Sequence, residues 1–249
     1  VGAVLINLRQ LFKIRKDESM SLYAIGDLHF STSVNKPMDI FGDNWDNHQN
    51  KIIDNWKEII KEDDTVLVLG DTSWAMNMKE AKEDLDIIDN LPGKKIFIKG
   101  NHDFWWSSLS KLKSAYKKIT FLQNSYYKYG NIGICGTRGW LCPNEVKFDE
   151  NDEKIYKREQ LRLKMSLEAA IKDGCEELVV ITHYPPTNDK LEESEFTKIF
   201  EEYRVKKVAY GHLHGTESFE MGLKGERNNV EYILASSDYI DFKPIKIME

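Results

Sequence analysis

The chain has 249 residues, 41% of them hydrophobic and 31% charged, with a formal net charge of -6. That is enough apolar material for a sizeable core. No stretch stays apolar for the roughly 18 residues a membrane span needs, and the acidic balance weighs against tight non-specific nucleic-acid binding, which depends on Lys and Arg.

Residues 1–19 place Val4, Leu5, Leu8, Leu11 and Phe12 at helical spacing, with Arg9, Lys13, Arg15 and Lys16 among and after them. A secretory signal would put the basic residues first. The stretch reads either as a short amphipathic helix or as a leader upstream of a true start at Met20. The leader is favoured, because a strand begins directly after Met20. Residues 20–249 then read as one domain. Strands are expected at Leu22 to Ile25, Thr65 to Leu69, Lys95 to Ile98, Asn131 to Cys135, Glu177 to Ile181 and Lys206 to Tyr210. Helical periodicity fills Gln49 to Lys61, Asn77 to Leu91, Trp106 to Lys118, Glu153 to Lys172 and Ser194 to Tyr203. Such alternation predicts an α/β fold with buried, largely parallel strands. Short strands at Ser218 to Met221, Val230 to Ala235 and Phe242 to Ile247 would make the sheet mixed. The stretch from Phe30 to Asn47 is the longest apparent loop, and long loops in compact domains are often functional. The charged helix from Glu150 to Lys172 reads as a solvated face with i,i+4 pairs. Cys135, Cys142 and Cys175 contain no Cys-x-x-Cys pair and suit reduced thiols in a cytoplasmic protein.

Four strands run into a glycine and then at once into a metal-ligand residue type: Gly26-Asp27-Leu28-His29, Gly70-Asp71, Gly100-Asn101-His102-Asp103 and Gly211-His212-Leu213-His214. A fifth, Thr182-His183, lacks the glycine. The carboxyl ends of strands in an α/β sheet converge on the ligand crevice, and glycine allows the close backbone approach needed there. Five of the six histidines fall in these motifs. Imidazoles and carboxylates are the donors of hydrolytic metal centres. Asp27 and His29, two apart, would point the same way on an extended segment. His212 and His214 share that spacing, and such a pair can serve one metal or straddle two about 3.5–4 Å apart. Asp71 is the natural bridging carboxylate, with Asn101 and His183 as further donors.

In this order the motifs resemble the calcineurin-like metallophosphoesterase superfamily. The resemblance spans residues 26 to 214. It implies two packed mixed β-sheets flanked by helices, a four-layer sandwich. It implies two divalent ions, with Mn, Fe or Zn all suited to the donors: Asp27, His29, Asp71 and His214 on the first, and Asp71, Asn101, His183 and His212 on the second. It implies that His102 contacts the scissile phosphate and protonates the leaving group, while Asp103 orients and polarises His102. The expected chemistry is hydrolysis of a phosphate ester by a metal-bridging hydroxide attacking phosphorus in line. Phosphodiesters are slightly favoured over monoesters, because His102 supplies an acid for a poor leaving group. A small phosphorylated substrate is the expected partner. A nuclease of the same family and a non-catalytic metal-binding scaffold are the alternative readings.

Many relatives carry a polar or acidic residue shortly after the second motif, where this chain has Trp74. An aromatic wall there would change substrate shape. Arg138, between Thr137 and Gly139 after a strand, suits a substrate phosphate or a structural ion pair. His48, at the end of the long loop, is a candidate substrate contact, but reads first as a helix-start histidine that packs or faces water. Trp45, Trp74, Trp105, Trp106 and Trp140 lie near the motifs in sequence and read as core, or as a wall to the site.

Overall fold

Leu22 and Ala24 of strand β1 (Leu22–Ile25) face one apolar cluster, and Tyr23 and Ile25 face another. Strand β2 (Thr65–Val68) alternates in the same way, with Leu67 on the first side and Val66 and Val68 on the second. A strand apolar on both faces has to be covered on both. The computed structural model, which describes residues 20–145 and 147–249, does so with four layers. The expected helix or leader at 1–19 lies outside the described residues.

The first sheet continues through β3 (Lys94–Phe97) and β4 (Ile119–Phe121), all parallel, with the C-terminal strand Ile245–Met248 antiparallel on its other edge. Its outer face is covered by α1 (His48–Ile59), α2 (Met78–Asn90) and α3 (Leu109–Ala115), which bring Ile52, Trp56, Leu85, Ile88 and Leu112 onto Val66, Val68 and Phe97. The second sheet has β5 (Tyr126–Tyr129) on one edge, antiparallel to β6 (Ile132–Thr137). Next come β7 (Glu177–Thr182) and β8 (Lys207–Tyr210), parallel to β6. The strand Val230–Leu234 follows in parallel, and the short strand Gly225–Arg227 closes that edge antiparallel. Helices α4 (Glu150–Lys172) and α5 (Glu195–Glu202) cover its outer face through Leu163, Leu167, Phe196 and Phe200. Between the sheets, Leu67, Leu69 and Ile96 meet Ile134, Val179, Ile181 and Ala209. The sheets join at the ends of their strands, where the Gly26 N–H donates to the Ala235 carbonyl at 2.7 Å.

Several expected elements shift, each for a local reason. The stretch Ser218 to Met221, expected as a strand, is instead the end of a single helical turn, Thr216–Phe219, and the turn that follows it, with the Ser218 N–H on the Gly215 carbonyl. Four residues of alternating polarity fit either element. The helix expected from Trp106 starts only at Leu109, because a turn after the third motif carries the Trp105 indole onto Asp103. Helix α4 begins three residues before its apolar periodicity, because Asp149 and Asp152 form a capping box. The last strand starts at Ile245, since Phe242 packs on Trp45. Strands β4, β5 and Gly225–Arg227 were not foreseen: three- and four-residue edge strands are too short to carry a pattern, and pairing with a longer neighbour creates them. No helix among the described residues is long and apolar enough to cross a membrane.

Two glycines permit close approaches that any side chain would block. A Cβ on Gly100 would collide with the carboxylate and amide of Asp71, and one on Gly211 with the Asp27 carboxylate. The loops are held from behind by Asp84 on α2, which is fully buried. Its carboxylate accepts the Thr32 N–H at 3.0 Å and the Ser73 hydroxyl at 2.5 Å, so one side chain braces the loops after β1 and β2. Asp84→Ala leaves the buried Ser73 hydroxyl without its acceptor and releases the Thr32 N–H, and should cost about 1–3 kcal/mol in urea unfolding. Asp84→Asn, which keeps an acceptor, should cost less.

Candidate metal centre

The ends of β1, β2, β3, β7 and β8 bring two groups of donors together. Asp27, His29 and His214 form one, and Asp71, His183 and His212 the other; within each, the donor atoms lie within 4.8 Å of one another. Asp71 Oδ2 lies between them, 3.8 Å from His29 Nε2 and 3.5 Å from His183 Nε2. Asn101 Oδ1 sits 2.6 Å from His183 Nε2, on the side of the second group. Asp27, His29, Asp71 and His183 are buried.

The loops do not run extended, as the two-residue spacings suggested. Asp27, His29, Asp71 and His212 all have positive φ, between 47° and 75°. Such conformations in non-glycine residues cost of order 1–3 kcal/mol each and survive only where the surroundings enforce them. Here the strands do so: the Asp27 N–H donates to the Gly70 carbonyl at 3.0 Å and the His29 N–H to the Asp71 carbonyl at 2.9 Å. The turn at His212 sends its ring to the second group and that of His214 to the first, so equal spacing gives opposite outcomes for the two pairs.

These donors fit cations and little else. The His183 Nδ1–H donates to the Leu69 carbonyl at 3.0 Å, which leaves a lone pair on Nε2. That lone pair faces the Asn101 oxygen and, at 3.2 Å, His212 Nδ1. Burial pushes His183 down to about 3 and His212 well below its usual range, so both rings are neutral, and the Asn101 oxygen meets an unprotonated His183 Nε2. His29 is lowered by burial as well. Asp27 Oδ1 is buried with no hydrogen-bond partner. Burial pushes Asp27 up to about 7 and Asp71 up to about 6, despite neighbouring histidines that pull both down. Converging lone pairs, neutral imidazoles and carboxylates disfavoured as bare anions are what divalent ions stabilise.

Three residues take positions that the motifs did not foretell. Asp103 does not touch the His102 ring. Its Oδ1 accepts the Thr72 N–H and the Trp105 indole N–H, each at 2.8 Å, and its Oδ2 accepts the Gly100 N–H at 2.8 Å. It ties the second motif to the third and is too fully engaged to polarise His102. Asp238, absent from the sequence reading, lies 3.0 Å from His214 Nδ1 and accepts the Gly215 N–H at 3.0 Å. Burial draws His214 down, but Asp238 and the Asp27 charge outweigh it, and the net shift is upward. No motif signals Asp238, because it follows a strand whose glycine-free end resembles any turn. Tyr184 was also missed; its ring covers His212 at 4.2 Å between centroids.

His102 is half-buried. Its N–H donates to Asp71 Oδ1 at 2.8 Å, and its ring lies 6.0 Å from that of His29 and 4.4 Å from that of Trp74. Trp74 stacks on His29 at 4.8 Å, so the aromatic substitution in the second motif does wall the centre. The long loop overhangs it, with Phe41 and Trp45 at 5.4 and 5.3 Å from the His214 ring. His48 does not reach into this space. It is buried at the first position of α1, with Nδ1 3.2 Å from the Trp45 carbonyl and Nε2 3.1 Å from that of His29, so it buttresses the His29 backbone rather than meeting a substrate. Arg138 lies on the opposite side, its guanidinium 4.5 Å from the Trp140 ring centre and its carbonyl accepting the His183 N–H at 3.1 Å.

Comparison with known proteins identifies the fold and the family. The uncharacterized protein MJ1445 of Methanocaldococcus jannaschii is 31% identical over 137 residues, 53% of this chain and 72% of the relative. Among solved structures, TT1561 of Thermus thermophilus shares the fold with a TM-score of 0.57 at 10% identity, over 92% of this chain and 99% of its own. The phosphopantetheinyl hydrolase PptH of Mycobacterium tuberculosis shares it with a TM-score of 0.50 at 13% identity, over 87% and 88%. The pattern of the calcineurin-like phosphoesterases matches residues 20–216, which include all five motifs. With that match, the chain belongs to the calcineurin-like phosphoesterase family, whose members carry out metal-dependent phosphoester hydrolysis.

Proposed function

We propose that the protein is a dinuclear metal-dependent phosphoesterase, with Asp27, His29 and His214 on one ion, Asn101, His183 and His212 on the other, and Asp71 shared. The observation that carries this is the place of Asp71 Oδ2 between two groups of imidazole and carboxylate donors, with Asp27 Oδ1 buried among them without a hydrogen-bond partner among the described residues. Bound divalent ions of the Mn, Fe or Zn type would make water a nucleophile near neutral pH and neutralise phosphoryl oxygens. The chain's own residues do the rest. Trp74, Phe41 and Trp45 narrow the approach and exclude bulk water. His102 is fixed through its main chain to Asp71, while its ring nitrogens have no hydrogen-bond partner among the described residues. The ring is therefore available to hold the scissile phosphate and to pass a proton to the leaving oxygen, which favours phosphodiesters slightly over monoesters. A cytoplasmic location belongs to the same reading, supported by three unpaired cysteines.

The assignment separates binding from turnover. Asp71→Asn should strip the protein of metal by elemental analysis, whereas His102→Ala should keep its metal and lose about 10²–10⁴-fold in kcat, the usual worth of a general acid. The reverse pattern would sink the assignment.

Asp238→Asn removes the anion behind His214 and should weaken Mn²⁺ affinity by about 10–100-fold in calorimetric titration, the usual effect of losing a carboxylate behind a ligating histidine.

Metal affinity should also depend on pH. In the metal-free chain Asp27 and Asp71 hold protons below about 7 and about 6, and a cation must displace them. Affinity should therefore rise between about pH 5.5 and about pH 7.5, with proton release that shows as a buffer-dependent binding enthalpy. A flat profile would contradict this.

A further inference from the structure

Beside the metal centre lies a cavity of about 530 Å³, within the range of small-molecule sites. Lys99, two residues past the end of β3, and Arg138, directly after β6, line it together with Arg158 and Arg162 of α4. It adjoins the second ligand group directly, since Lys99 is two residues before Asn101 and the Arg138 carbonyl accepts the His183 N–H.

Its charge is lopsided. Glu159 is the one carboxylate on the wall, and it is fully engaged: Arg162 Nη1 is 2.8 Å and Arg158 Nε 3.5 Å from its Oε1, and the Thr137 hydroxyl donates to its Oε2 at 2.5 Å. It is buried and serves to aim two guanidinium groups. Lys99 and Arg138 have no ion-pair partner among the described residues. The cavity thus gathers three positive charges in excess within a chain of net charge -6. Like charges assembled in a partly desolvated pocket repel unless an anion joins them. Guanidinium groups match phosphate oxygens in geometry as well as charge. A nucleic-acid track would need cations spread over an open surface, whereas these are confined to one pocket with Trp106 and Leu122 in its wall.

We infer that this cavity binds a second phosphate, so that the substrate is a small phosphoester carrying another phosphate beyond the scissile one. The inference rests on the phosphoesterase reading above. Water adds to the scissile phosphorus, the bond to the leaving oxygen breaks, and that oxygen takes a proton. The second phosphate is untouched and serves as an anchor.

The test uses Mn²⁺-loaded protein and phosphoesters of alkanediols two to six carbons long, with and without a phosphate on the far end. The wild type should prefer the terminally phosphorylated member of at least one pair by roughly tenfold or more in kcat/KM, as expected for charge-assisted hydrogen bonds. The double variant Lys99→Met with Arg138→Gln should lose that preference. Arg158→Ala, at an exposed position that the fold tolerates, should reduce it. Equal use of both members of every pair, or a preference unchanged in the variants, would overturn the inference. Faster cleavage of a single-stranded oligonucleotide than of any pair would overturn it in favour of a nuclease. Calorimetry with inorganic phosphate, pyrophosphate and tripolyphosphate separates this inference from the parent reading. If no ester is hydrolysed, the phosphoesterase reading fails. The anion site still stands if one of the longer anions binds tighter than phosphate in the wild type and not in the double variant, and it falls if the binding is alike.

Discussion

Lone pairs are forced together where the two sheets meet. The Asn101 oxygen lies 2.6 Å from His183 Nε2, whose ring carries its proton on the Nδ1 that faces the Leu69 carbonyl, and burial keeps that ring neutral. Such an arrangement is unfavourable in a bare polypeptide and favourable around a cation. Much of the surrounding structure exists to hold it. Glycines at 100 and 211 let the chain pass against Asp71 and Asp27, and four of the candidate ligands accept strained backbone angles that only a tied network can impose.

That network is made largely of carboxylates that hold no metal. Asp84 braces the loops after β1 and β2, Asp103 joins the second motif to the third, and Asp238 fixes His214. Each accepts at least one main-chain N–H, and those on Asp103 come from the buried Thr72 and Gly100. The role expected of Asp103 shows the difference this makes. Adjacent to His102 in sequence, it turns away from it in space, because four N–H donors, from Thr72, Ser73, Gly100 and Trp105, already occupy its oxygens. His102 is placed instead through its own amide on Asp71, which couples the proposed acid to the proposed bridge.

Two unlike surfaces flank the centre. On one side Phe41, Trp45 and Trp74 form an aromatic wall over His29 and His214. On the other, Lys99, Arg138, Arg158 and Arg162 form a cationic pocket. A substrate lying across the proposed metals would meet an apolar side and a cationic side, which would orient it before any chemistry occurs.

The ligand residue types, their order and their place after strands were legible in the sequence, because an apolar run ending in glycine and a donor is a local pattern. The layered α/β architecture was legible for the same reason, through the periodicity of its longer elements. The edge strands were not, since pairing rather than propensity creates them. Nor did the sequence show which way His212 and His214 part, that Asp103 serves main-chain amides, or that Asp238 stands behind His214. Arg158 and Arg162 read as a solvated helix face, as any charged i,i+4 pair would. Their pocket arises only when α4 packs on the second sheet and faces the end of β3. Chain-local chemistry named the donors; the geometry that divides them into two groups, braces them and sets cations beside them depends on contacts between segments far apart in the chain, and only the tertiary structure decided those.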